Sequence, residues 1–151
     1  MRRAVNHAIN RDQLVSIGWQ GSGDVSHLPL PDLPQMRPYF EAADDLVEKH
    51  NVKAFDPKLS SAILRSKGYS RKNGIWHKDG EALKITIDIF SHFQDITPVL
   101  VAQLKKAGFD ASFRMTSDFN TRLRTGAAHA FLTGNFSSMR DPYFVLRQYQ
   151  S

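Results

Sequence analysis

Between Leu83 and Leu132 the chain switches repeatedly between two hydrophobic periods, and that order constrains the fold more than any other feature. Leu83, Ile85, Ile87 and Ile89 recur at every second position, the pattern of a half-buried strand. Thr97-Pro98 then opens a helical stretch that carries Val99, Leu100, Ala102, Gln103 and Leu104 and is closed by Gly108. Phe109, Ala111, Phe113 and Met115 alternate as a second strand. Asp118 caps a short helix with Phe119, Arg122 and Leu123, ending near Gly126. Ala130-Phe131-Leu132 suits a buried strand, and Asp141-Pro142 starts a last helix. Strand, helix, strand, helix, strand, helix predicts an α/β fold, a mixed sheet with flanking helices. Part of that sheet should be parallel, because parallel neighbours need a crossover between them.

The preceding residues read as scaffold. Ala4, Val5, Ala8 and Ile9 form one helical stripe, Asn10 is a helix N-cap, and Gln13 completes a capping box. Leu14, Val15 and Ile17 carry a second helix until Gly18. From Gln20 to Pro38 the chain holds Gly21, Gly23, Pro29, Pro31, Pro34 and Pro38, which predicts a stiff, irregular excursion. No boundary is expected there, because too little chain precedes it to own a core, so residues 1–151 read as one domain. Asp44, Asp45 and Glu48 look like a solvated helix face. Asp56 as N-cap with Pro57 in the first turn starts a helix through Ala62, Ile63 and Leu64, stopped by a left-handed Gly68. Asp79-Gly80, between Gly74–Lys78 and the run from Leu83, signals a hairpin.

Several kinds of chemistry have no support in these residues. With no cysteine, a disulfide framework, a Cys-ligated metal and thiol catalysis are excluded. His7, His27, His50, His77, His92 and His129 never pair at the spacing that puts two ligands on one metal, so no metal is expected. No Gly-x-Ser-x-Gly elbow exists, and Gly21-Ser22-Gly23 lacks the Lys-Ser or Lys-Thr of a phosphate loop and reads as a tight turn. Neither catalysis nor a cofactor is expected. No stretch reaches the ~18 apolar residues of a membrane span. The net charge of +5 concentrates at Arg65, Lys67, Arg71, Lys72 and Lys78, beside Tyr69 and Trp76. That cluster makes a basic nucleic-acid-binding module the alternative reading. Its plainer explanation is a helix C-terminus and turn, where cations suit the dipole.

The ordered string of motifs carries a resemblance. The opening Met1-Arg-Arg-Ala-Val-Asn-His-Ala-Ile-Asn-Arg-Asp-Gln-Leu-Val15 resembles the start of the second lobe of bacterial extracellular solute-binding proteins of the oligopeptide and dipeptide class. These are the capture subunits of ATP-driven (ABC) importers. The similarity continues through Trp19–Gly23, Phe55-Asp56-Pro57, Ala62-Ile63-Leu64 and Lys67-Gly68-Tyr69. It runs on through Gly74-Ile75-Trp76, Lys78-Asp79-Gly80, Leu83–Ile87, Ala102–Gly108 and Arg140-Asp141-Pro142-Tyr143. It implies one lobe of a type II periplasmic-binding-protein-like fold, with the first lobe, signal peptide and returning C-terminal segment absent. It further implies a monomer without nucleic-acid partners, outside the inner membrane and in some members lipid-anchored. Such a receptor takes a peptide or other small solute and delivers it to a membrane permease.

Two loops would then face the ligand: Ser91, His92, Phe93 and Gln94, and Asn135, Phe136, Ser137, Ser138, Met139 and Arg140. Peptide-binding members often carry an aspartate before the last Asp-Pro, paired with the ligand's amino terminus. Here Ser138 takes that position and the nearby ionic group is Arg140, which turns the expectation toward an anionic or modified solute.

Overall fold

The computed structural model describes residues 1–134 and 142–146. In chain order its helices are α1 (Arg2–Ala8), α2 (Arg11–Gln13), α3 (Arg37–Lys49), α4 (Pro57–Ser66), α5 (Thr97–Ala107), α6 (Phe119–Arg124) and α7 (Tyr143–Leu146). The strands are β1 (Ser70–Lys72), β2 (Ile75–Lys78), β3 (Glu81–Ala82), β4 (Lys84–Ile89), β5 (Asp110–Met115) and β6 (Ala130–Leu132). They fall into two compact units. One is Met1–Gly23 with Phe55–Thr133; the other is Asp24–Ala54 with the described residues from Gly134 on.

The larger unit has the α/β character read from the sequence, with its two pairing directions divided between two sheets. β4 lies between β5 and β6 and is parallel to both, Ile87 standing opposite Phe113 on one side and Ala130 on the other. The connection β4–α5–β5 runs to one side of β4, and β5–α6–β6 returns across it. Right-handed crossovers in opposite directions put α5 and α6 on opposite faces of the sheet. Side-chain alternation agrees. Ile87 and Ile89 join Leu100, Val101 and Leu104 of α5, Leu64 of α4 and Ala4 and Ala8 of α1 in the core, while Asp88 reaches Arg122 of α6. Each fully buried Leu or Ile there contributes about 1.5–3 kcal/mol.

β1, β2 and β3 form an antiparallel meander. Its turns are Asn73-Gly74 and Asp79-Gly80, all four residues at positive φ, the geometry that matches the twist of a two-residue hairpin. The expected Asp-Gly hairpin exists, but its return strand is only Glu81–Ala82; the isoleucine run belongs to the other sheet. Leu83 is the crossing point. Its N–H donates to Trp76 O of β2 at 2.7 Å, and its carbonyl accepts from Asp110 N–H of β5 at 3.0 Å.

Asp56 caps α4 as expected, accepting from Leu59 N–H at 2.9 Å. Gly68 ends the helix with the paired bonds Gly68 N–H to Arg65 O and Tyr69 N–H to Leu64 O. Asn10 caps α2 by accepting from Gln13 N–H at 3.0 Å, but Gln13 does not close the box. Gln103 of α5 does so instead. Its Oε1 accepts from Asn10 N–H, and its Nε2 donates to Asn10 O and to Gln13 Oε1. One amide thus ties the α1–α2 joint to a helix 93 residues away. Leu14–Gly18 is a π-helical turn, and Gly18 is needed there because a Cβ would lie 2.8 Å from Ile96 Cα.

In the smaller unit the irregular stretch ends sooner than expected, since Pro34–Met36 forms a 3₁₀ turn and Pro38 sits in the first turn of α3. Val47 of α3 is buried, as are Leu30, Met36 and Val145, whereas Asp44, Asp45 and Glu48 are solvated. α7 follows Pro142, where the sequence starts its last helix.

Candidate functional site

In an open parallel sheet, ligands bind outside the carboxyl ends of the strands, where successive connections leave for opposite faces. β4 is the central strand of this sheet, so the turn that follows it lies at that carboxyl end. The residues after β4 are the first of the two expected loops. Ser91–Phe93 is a single 3₁₀ turn, closed by Phe93 N–H to Phe90 O at 3.0 Å, and Gln94 continues it with its N–H on Ser91 O. Ser91, His92 and Gln94 are exposed, so their polar groups face solvent at the sheet's carboxyl end. Phe93 is half-buried, and its carbonyl accepts from Thr97 Oγ1 at 2.6 Å, which fixes the turn to the start of α5. Asn135, Phe136, Ser138 and Arg140, with Ser137 and Met139, lie outside the described residues.

Two features at this end of the sheet escape the sequence reading. Phe90 stacks on His92, with centroids 5.3 Å apart and planes 14° from parallel, and meets Phe119 edge-on at 5.9 Å. Behind it, Asp88 is buried at 1% exposure and accepts from Arg114 Nε at 2.7 Å and Arg122 Nε at 3.0 Å. Desolvation pushes the Asp88 carboxyl up, but the hydrogen bonds and charges of the two guanidiniums outweigh it, and the net shift is downward. Arg122 Nη2 also donates to Ala127 O, so the cluster joins β4, β5, α6 and the approach to β6. The only sequence signal was an aspartate inside an isoleucine-rich strand. Asp118 begins α6 without the side-chain cap expected of it, and accepts from Thr116 Oγ1 instead.

A cavity of about 730 Å³ runs along β4 as far as Asp88, with Val5, Leu83, Ile85 and Ala130 as apolar walls and Arg2, Lys84, Arg114 and Arg122 among its cations. Ser91, His92, Phe93 and Gln94 do not line it. Among the described residues, no group of three or more His, Asp or Glu is placed to hold a metal ion. No helix among them is long and apolar enough to cross a membrane.

The basic cluster has an internal use. Trp76 is 1% exposed and donates Nε1–H to Ala107 O at 2.8 Å. The guanidiniums of Arg65 and Arg71 lie 5.8 and 5.6 Å from its ring centre, and Arg71 also donates to Gly74 O and Lys106 O. Lys78 lies 5.8 Å from the Tyr69 ring. The aromatics that would have stacked on bases are engaged by these very cations, and nothing among the described residues favours the nucleic-acid alternative.

The sequence model described as bacterial extracellular solute-binding proteins, family 5, middle, matches residues 1–151. No curated protein matches the chain. Among solved structures, the oligopeptide-binding protein AppA from Bacillus subtilis, in complex with a nonapeptide, is similar at a TM-score of 0.70 and 22% identity, covering 94% of this chain and 29% of AppA. NikA from Brucella suis, in complex with Fe(III)-EDTA, is similar at 0.75 and 22%, covering 99% and 30%. A mannohexaose-bound periplasmic oligopeptide-binding protein from Thermotoga maritima is similar at 0.69 and 23%, covering 81% and 24%. The chain thus shares their fold and spans less than a third of their length.

Proposed function

Because the chain belongs to the bacterial extracellular solute-binding proteins, family 5, we propose that it is a ligand-binding lobe that captures a solute for an ABC importer. Catalysis has no part in this reading. The family match along all 151 residues carries it. The turn Ser91–Gln94 grips the solute by hydrogen bonds and ring faces, together with the loop that holds Asn135, Phe136, Ser138 and Arg140. The solute is a peptide or another small molecule, taken up in the periplasm or, in a lipid-anchored protein, at the cell surface. A second lobe completes the grip, and the closed monomer is what the permease meets.

The solutes of the structural neighbours are chemically diverse: a nonapeptide, Fe(III)-EDTA and mannohexaose. What this lobe contributes to selectivity therefore rests on its own loop residues. Ser138 gives no counter-charge to a ligand ammonium, a loss of roughly 3–5 kcal/mol for a buried charge left unpaired. Arg140 suits an anionic or modified solute.

A lone lobe supplies half the contacts and gains nothing from closure, so this chain should bind solutes weakly. Titration calorimetry of the 151-residue chain with short peptides tests this. Affinities weaker than micromolar are expected, and a micromolar or tighter complex would contradict the half-site reading.

A further inference from the structure

The geometry points to Phe90 and His92 as an aromatic platform that selects solutes carrying a planar, apolar-faced group such as an aromatic side chain. This rests on the cleft reading of the turn after β4 and adds the chemical class of what that turn holds. Phe90 is the residue through which the central strand enters the turn, with extended backbone at φ −88° and ψ 152°. It shares the parity of Asp88, so its ring leans toward the α6 face, where it meets Phe119. Phe119 is buried and fixed at the head of α6. His92, two residues on, lies nearly parallel to the Phe90 ring. Two rings thus hold the orientation of a third that is 39% exposed.

A ring that is both held and exposed loses little freedom when a second planar group lies against it. The platform also stands at the carboxyl end of the central strand, the end that open parallel sheets use for ligands. Ser91 and Gln94 beside it offer donors and acceptors for the polar part of the same solute. Ring-on-ring contact of this kind corresponds to about fivefold in affinity.

The test is backbone-amide NMR of the 151-residue chain titrated with two probes, N-acetyltryptophanamide and N-acetylalaninamide, reading the amides of Ser91–Gln94. The tryptophan probe should bind about fivefold more tightly. Phe90→Ala should erase that preference and Phe90→Tyr should keep it. Should Phe90→Ala unfold the chain, His92→Ala, at an exposed position, carries the same expectation. Equal affinities in the wild type, or a preference that survives the loss of either ring, would overturn the platform and leave the cleft reading standing. Absence of any shift at Ser91–Gln94 with both probes would overturn the cleft reading and the platform with it.

Discussion

Replacing Asp88 by asparagine probes the cluster that joins the strands to α6. The carboxylate is buried at 1% exposure, and each oxygen accepts from a different guanidinium Nε. Asparagine keeps the shape but loses the charge, and its NH₂ faces a second donor. Two charge-assisted hydrogen bonds, at about 1.5–3 kcal/mol each, set the upper bound. Arg114 is half exposed and recovers water on release, so the expected loss is about 2–3 kcal/mol in all.

Acid gives an independent check. The folded carboxyl titrates below its unfolded value, so its contribution is present above the unfolded pKa and is lost as pH falls through the folded one. The gap between wild type and Asp88→Asn should therefore be full at neutral pH and shrink below about pH 4, where an unfolded aspartate takes up its proton. Urea unfolding followed by far-UV circular dichroism at several pH values reads both quantities. A variant as stable as wild type at neutral pH, or a gap unchanged in acid, would refute the reasoning.

Gly108→Ala should destabilise by more than about 1 kcal/mol in the same urea assay, since its φ is +99° and a Cβ would stand 2.9 Å from the Trp76 ring. Gln103→Leu should cost about 2–3 kcal/mol and expose the Asn10 amide to hydrogen exchange, because it leaves that N–H and carbonyl without their partner. In a complete two-lobed protein, Arg140→Ala should weaken an acidic solute at least tenfold by calorimetry; unchanged affinity removes the arginine from the site.

Local chemistry was legible where the partner was close in sequence. Asp56 with Pro57, Gly68 and Gly108 follow from caps that bond within a few residues, and Pro98 in the first turn marks the start of α5. The alternation of Ile85, Ile87 and Ile89 identified the central strand, and the helices around it implied parallel neighbours. The passage between sheets at Leu83 was not legible, because alternation continues unbroken while the hydrogen-bonding partner changes. β1 was missed because its three residues are all exposed and lack an apolar face. Phe113 and Met115 kept the expected alternation yet remain exposed, since period reports a face and not what covers it.

The Asp88 cluster and the Gln103 clamp span 26 to 93 residues, beyond the reach of any local pattern. For the site, Ser91–Gln94 came from the resemblance, while Phe90 lay one residue past the end of the alternating run and was passed over.

The most direct test of the solute-binding account is amide-shift mapping on the 151-residue chain with three diamagnetic solutes: a free nonapeptide, an acidic N-acetylated peptide and a short oligosaccharide. The account predicts that at least one produces weak, saturable shifts concentrated at Ser91–Gln94. Shifts confined to other surfaces, or none with any of the three, would contradict it.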